Sequence, residues 1–325
     1  MTSNRKIKRV IRSYMAETGL NYLEARLTLE ISGELPRQDG AEPTVFEHRH
    51  PLGQVVTVTS SRGGTGKTTV ALSLASYISK ASKVSVARGA AKDPLKVIVL
   101  DLDVRDGQIG VFTGFWKPTV MRLKRYGISK SEIEGTKVHD EGLEVDLMLA
   151  PRRPRSADEL PPEFYRELIE ELKSSYDYII IDTASNYLDP TVERVAYPLA
   201  DFILMVTEAS KPSLFSMARW IREVTSPLDQ HGMAVPKDKI GIVVNRATAE
   251  RALLGKDIVA NAQELPIISV IPDAPKIVGT ALNEVALERI ISDYEIGKTF
   301  GKIAESIVGR RYPLDRPPVI ESVVD

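Results

Sequence analysis

"SSRGGTGKTT", residues 60–69, follows the run Gln54-Val55-Val56-Thr57-Val58-Thr59. A β-branched strand pattern that ends in a glycine turn, with a helical pattern from Lys67 onward, is the context in which such a loop wraps a phosphate. Gly63, Gly64 and Gly66, with Thr65 between them, let backbone N–H groups point inward around phosphate oxygens. The helix N-terminus that follows adds its partial positive charge. Lys67 then reaches the β- and γ-phosphates, Thr68 offers a hydroxyl to Mg²⁺, and Thr69 offers one to the α-phosphate. A glycine-rich turn that binds nothing does not account for Lys-Thr-Thr at this offset. The glycine expected five residues before Gly66 is Ser61, and Arg62 follows it.

Beyond this loop, short apolar runs alternate with longer helical patterns. Strands are predicted at 54–60, 96–103, 144–150, 176–182, 202–207, 239–245 and 266–271, several of them apolar throughout, as strands covered on both faces must be. Helices are predicted near 67–80, 162–174, 191–198, 213–226, 250–262, 275–290 and 294–309. The alternation predicts an α/β fold with a doubly wound, mostly parallel sheet. Residues 1–49 read differently, as a small helical appendage and linker. Arg5, Lys6, Lys8, Arg9 and Arg12 lie on a basic amphipathic helix, "YLEARLTLEI" suggests a second helix, and "SGELPRQDGAEP" has linker composition. The expected division is 1–49, a P-loop domain over 50–310, and a proline-containing tail over 311–325.

Two other strand ends supply acids. "VIVLDLDVRDG" ends with Asp101 and Asp103 two residues apart, and "DYIIIDTAS" ends with Asp182. Ligands of open α/β sheets sit beyond the carboxyl ends of the strands, where these three acids converge with the loop. Asp182 suits Mg²⁺ binding through water, as does Asp101, while Asp101 or Asp103 can orient an attacking water. Asp106 reads as a turn or capping residue.

The 325 residues carry a net charge of −1, so any polyanion must be met by a local patch. There are no cysteines, which excludes disulfides, thiolate metal sites and thiol catalysis. His48 and His50 read as linker surface. No apolar run reaches the length of a membrane span, so no integral membrane segment and a cytoplasmic location are expected.

Across residues 53–309 the sequence resembles the ParA/MinD family of deviant Walker A P-loop ATPases, whose loop reads Lys-Gly-Gly-x-Gly-Lys-Thr. The "DLD" and "IIIDTAS" segments fit the same pattern, as do "IVVNRA" and "VIPDAPKIVGTAL". The resemblance implies that Asn245 reads adenine, that Pro272 and Asp273 close over the base, and that Asp103 acts in hydrolysis. Arg62 occupies the position of the signature lysine that crosses a dimer interface to the partner's phosphates, and arginine keeps the charge. Lys67, Asp103 and Arg62 are thus the implied catalytic set, with ATP and Mg²⁺ as cofactors. The family implies a homodimer with ATP, slow hydrolysis stimulated by a partner protein, and positioning or segregation of DNA or another large cargo. A TadZ/CpaE-like localisation factor for pilus or secretion assembly is the alternative, suggested by "DLDVRDGQIGVFTG"; an ATP-gated scaffold with little hydrolysis is a third. The ending "ESVVD" argues against a lipid-binding C-terminal helix.

Candidate contacts for non-specific DNA on the nucleoid are the N-terminal helix, Arg219 with Arg222, Arg246 with Arg251, and Arg152, Arg153 and Arg155. Trp220 and Tyr126 read as packing residues rather than base-stacking platforms.

Overall fold

β1 (Gln54–Thr59) is buried along nearly its whole length and lies inside an eight-stranded sheet. The computed structural model describes residues 3–18, 25, 29, 52–87, 91–248, 258 and 261–308. The other strands are β2 (Val97–Leu102), β3 (Val138–Asp140), β4 (Val145–Met148), β5 (Tyr178–Thr183), β6 (Phe202–Glu208), β7 (Ile240–Ala247) and β8 (Ile267–Pro272). Their order is β3-β4-β2-β5-β1-β6-β7-β8. Every pairing is parallel except β3 with β4. The seven predicted strands are all present. β3, only three residues long, is too short to show a pattern.

Helices cover both faces, so each strand feeds two cores. Val56 and Val58 pack in one core with Leu72 and Leu74 of α2 (Lys67–Ala87), whereas Val55 faces the other. Four helices have five or six residues: α3 (Ile109–Thr113), α4 (Met121–Tyr126), α5 (Lys130–Glu134) and, later, α9 (Glu288–Ser292). The longer ones are α6 (Pro162–Lys173), α7 (Lys211–Thr225), α8 (Pro275–Asn283) and α10 (Tyr294–Val308). The helix expected over 275–290 is therefore broken. Val285 adopts a left-handed φ of 52°, and the Ala286 N–H bonds back to the Ala281 carbonyl, which ends α8 as a Schellman-type cap does. The reversal allows Leu287 and Ile290 to turn into the core.

The appendage begins with α1 (Ser3–Thr18), whose Ile11 is buried with Ala25, Leu29 and Tyr294, leaving Arg9 and Arg12 exposed. The linker 32–43, most of the second appendage helix, most of the helix expected near 250–262, and the tail 311–325 lie outside the described residues.

Trp220 is a packing residue, as expected. It is fully buried on α7, and its Nε1 donates to Tyr197 Oη at 2.9 Å, which in turn meets Thr59 Oγ1 at 2.9 Å. A chain of bonds thus runs from the α7 core to the last residue of β1. Trp220→Ala should destabilise the protein by about 3–5 kcal/mol, the range for emptying a large aromatic site. A urea midpoint close to that of the parent would show that the cavity collapses freely.

Candidate functional site

The loop leaves β1 through two left-handed glycines, Gly64 at φ 79° and Gly66 at φ 90°. A Cβ on Gly66 would also clash with Asn245 Nδ2, so space and backbone conformation both require glycine there. Two loop carbonyls are tied down from the end of β7, two strands away from β1 in the sheet. Asn245 Nδ2 donates to the Thr65 carbonyl at 2.7 Å, and Arg246 Nη1 donates to the Gly64 carbonyl at 2.8 Å. Arg246 also pairs with Glu208 at 2.8 Å. Among the described residues the N–H groups of Gly63, Gly64, Thr65 and Gly66 meet no protein acceptor, and the Thr65 hydroxyl is buried without a partner. The loop is a set of donors suited to an anion.

Lys67 opens α2 and is nearly buried, with its Nζ donating to Ser185 Oγ at 2.9 Å. A neutral hydroxyl holds this ammonium, which leaves its charge available for an incoming phosphate. Thr68 and Thr69 follow on the first turn, each half-buried.

Parallel pairing of β2 with β5 sets Asp101 opposite Asp182. Both are buried. Asp101 accepts from the Asp103 and Ile109 N–H groups at 3.2 and 3.3 Å, while both oxygens of Asp182 lack a hydrogen-bond partner. Burial pushes the Asp182 carboxyl up to about 7; the nearby Thr68 hydroxyl and the Lys67 ammonium oppose that rise. Asp101 is raised well above the usual carboxylate range by burial first, then by Asp182 and Asp103. Asp103 is half-buried and also raised by burial, with Lys67 pulling the other way. Lys67, Asp103 and Asp182 therefore lie within electrostatic reach of one another.

Orphaned buried oxygens beside a threonine hydroxyl fit a divalent cation. Among the described residues no three His, Asp or Glu side chains converge to ligate a metal by themselves. That pattern suits Mg²⁺, which keeps several waters and takes one or two protein oxygens together with phosphates. Thr68, with Asp101 and Asp182 behind it, fits such an ion.

Arg62 is exposed and has no ion-pair partner among the described residues. Pro272 and Asp273 lie beside the end of β7, where the Asp273 N–H donates to the Ala247 carbonyl at 2.9 Å, and the Asp273 side chain is exposed. Asn245 is committed to the loop, since its Oδ1 also accepts from the Arg246 N–H at 2.9 Å. Arg246, named above as a candidate DNA contact, reaches the Gly64 carbonyl and Glu208 with its guanidinium; Arg251 lies outside the described residues. Tyr126, expected to pack, is 57% exposed, because its six-residue helix turns only Leu123 into the core. Sequence reasoning missed Ser185 and the Glu208–Arg246 pair, although Ser185 closes the quoted "DTAS" and Arg246 adjoins Asn245.

A glycine loop between a central parallel strand and a helix, with acids at the next strand ends, defines a P-loop nucleotide-binding protein. Residues 56–285 match the family model of the CobQ/CobB/MinD/ParA nucleotide binding domain, and the chain belongs to this family. A septum site-determining protein MinD from Thermotoga maritima is 25% identical over 268 residues, covering 81% of this chain and 91% of the relative. The ParA family ATPase of Chlorobium tepidum has a similar fold (TM-score 0.65, 20% identity, 78% of this chain and 98% of that one). So does MinD of Pyrococcus horikoshii, solved with Mg-ADP (TM-score 0.59, 21% identity, 78% and 96%). No described helix is long and apolar enough to cross a membrane.

The raised acid has a measurable consequence. Asp182 titrates at about 7 in the folded chain against an ordinary value of 3.8. Between those values the folded state keeps a proton that the unfolded state has lost, so stability falls as pH rises through that window. Asp182→Asn should therefore stabilise the nucleotide-free protein, by a Tm gain that grows from about pH 4 to about pH 7 and then levels off. A gain that shrinks over this range would mean that Asp182 is charged and compensated.

Proposed function

We propose that the chain is an ATP-dependent, dimerising ATPase that positions or segregates DNA or another large cargo. One observation carries this reading. An anion-ready loop, an ammonium parked on a serine, and buried carboxylates, Asp182 without a partner, converge at adjacent strand ends. ATP with Mg²⁺ satisfies all three, and the Mg-ADP of the Pyrococcus horikoshii protein supports that choice. Gly63, Gly64, Thr65 and Gly66 wrap the phosphates, Lys67 neutralises them, and Thr69 bonds the α-phosphate. Thr68 holds Mg²⁺, which neutralises phosphate charge, while Asp101 and Asp182 hold it through water. Asp103 orients the attacking water. Asn245, with Pro272 and Asp273, meets adenine, which requires its amide to leave the Thr65 carbonyl. Hydrolysis is slow until a partner protein stimulates it.

Residues 50–310 form the ATPase domain in this reading, residues 1–49 a helical appendage, and residues 311–325 a tail. In this reading the protein works in the cytoplasm, and on the nucleoid where its cargo is DNA. The alternative, a TadZ/CpaE-like localisation factor, draws support from arginine in place of the signature lysine at position 62. An ATP-loaded dimer that ignores DNA would favour it, and a dimer without turnover would favour the scaffold.

Lys67→Ala should lose most ATP affinity by calorimetry, because a charge-assisted contact is worth about 1.5–3 kcal/mol. Unchanged affinity would remove the phosphate-loop assignment.

Asp103→Ala should keep ATP and accumulate dimer, since it removes only the positioning of water. Light scattering that finds only monomer with ATP would assign Asp103 another role.

Arg62 has no anionic partner among the described residues of its own chain, so its energy belongs to dimerisation. Arg62→Ala should leave monomer ATP binding nearly intact and weaken the ATP dimer by about 1.5–3 kcal/mol, with Arg62→Lys restoring part of it. Sedimentation across a concentration series with ATP and Mg²⁺ measures this; a dimer as strong as the parent's would make Arg62 an ordinary loop residue.

A further inference from the structure

The segment joining β4 to α6 contains Pro151-Arg152-Arg153-Pro154-Arg155, in which all three arginines are exposed. Buried Ala157 and Leu160 root it in the core. The two nearest acids in sequence are already engaged: Asp158 pairs with Arg105 at 2.7 Å and Glu159 with Lys124 at 3.7 Å. Among the described residues, Arg152, Arg153 and Arg155 have no ion-pair partner, so three positive charges stand uncompensated in a chain of net charge −1. α4 lies against the same segment, with its preceding Val120 N–H donating to the Leu149 carbonyl at 3.0 Å and Lys124 Nζ to the Glu159 carbonyl. It presents the exposed Tyr126 ring with Arg122 and Arg125 guanidinium carbons 5.0 and 5.6 Å from its centroid.

This basic face is joined to the nucleotide site at two points. Arg105, two residues beyond Asp103, holds Asp158. Gly107 packs so closely that a Cβ there would stand 2.6 Å from Ala150 Cβ and 2.7 Å from Asp101 Oδ2. The loop that carries Asp103 is thus wedged between Asp101 and the root of the arginine segment. A change in that loop on nucleotide binding has a short mechanical path to the basic face.

We propose that Arg152, Arg153 and Arg155, with Arg125 and Tyr126, form the surface on which the phosphate backbone of duplex DNA docks, and that Arg105 and Gly107 couple it to the nucleotide. This rests on the DNA-positioning reading above and names the surface that serves it. Guanidinium forks match phosphate oxygens, and repeated phosphates need no pocket. An acidic protein segment would need a cluster of apolar anchors, and this face offers a single exposed ring, Tyr126, among arginines and prolines. The N-terminal helix lies elsewhere, with Ile11 packed on Tyr294 at the start of α10.

The test is anisotropy of a labelled random-sequence duplex, with ATP and Mg²⁺, across a salt series. Replacing the three arginines by alanine should weaken binding roughly tenfold or more and lower the log–log salt slope by about three, about one for each phosphate no longer neutralised. ATP affinity by calorimetry should not change. Arg105→Ala should still bind duplex but show a smaller difference between the ATP-loaded and nucleotide-free protein. Duplex binding that survives the triple variant but disappears on deleting residues 1–12 overturns this surface and leaves the DNA reading standing. No duplex binding in any nucleotide state overturns both. Tighter binding of a polyglutamate peptide that displaces the duplex overturns DNA as the occupant, and an unaltered nucleotide dependence in Arg105→Ala overturns the coupling.

Discussion

Burying β1 between β5 and β6 sets the geometry of everything at the site. With both edges paired in register, the strand has one exit, and the loop after it must turn there. The same parallel ladder that fixes β1 on β5 also fixes β5 on β2, which places Asp101 opposite Asp182. Two carboxylates are thereby brought together in the buried interior, where like charges and desolvation both favour the protonated form. The acids are raised because the sheet leaves them no alternative position.

The loop is held by side chains that its own sequence does not contain. Asn245 and Arg246 reach from the end of β7 to the Thr65 and Gly64 carbonyls, and Glu208 on β6 orients the arginine. Fastening the carbonyls leaves the N–H groups as the free half of the loop, so preorganisation toward an anion is a product of other strands. Ser185 does the complementary task for Lys67. Its hydroxyl satisfies the ammonium without neutralising it, and exchanging this partner for phosphate gains charge on charge. The buried, unpartnered oxygens of Asp182 are the corresponding cost to the folded chain, of the kind that functional sites retain.

Cation placement separates two tasks. Arg62 stands exposed at the mouth of the loop, whereas Arg152, Arg153 and Arg155 stand beyond the end of β4, next to the loop carrying Asp103. Arg105 and Gly107 lie between the two regions. A nucleotide site and a surface can communicate over so short a path because packed loops shift between discrete arrangements rather than deforming smoothly.

Much of this is legible in the linear chain, for local reasons. A β-branched run, a glycine turn and Lys-Thr-Thr are contiguous, so the loop and the strand–helix context can be read directly, and strands buried on both faces announce themselves as apolar runs. Asp101, Asp103 and Asp182 are legible as well, because strand ends in a parallel sheet share one side. The three-residue β3 and the five- and six-residue helices α3 to α5 carry less than two periods of their patterns and leave no signal. The partners of Lys67, Gly64 and Thr65 stay hidden for a different reason. Ser185 and Arg246 come close to the loop only through strand order, at separations of 118 and 182 residues along the chain. Tyr126 shows the same limit at the surface: periodicity marks a side chain as apolar, but only the packed neighbours decide whether it is covered.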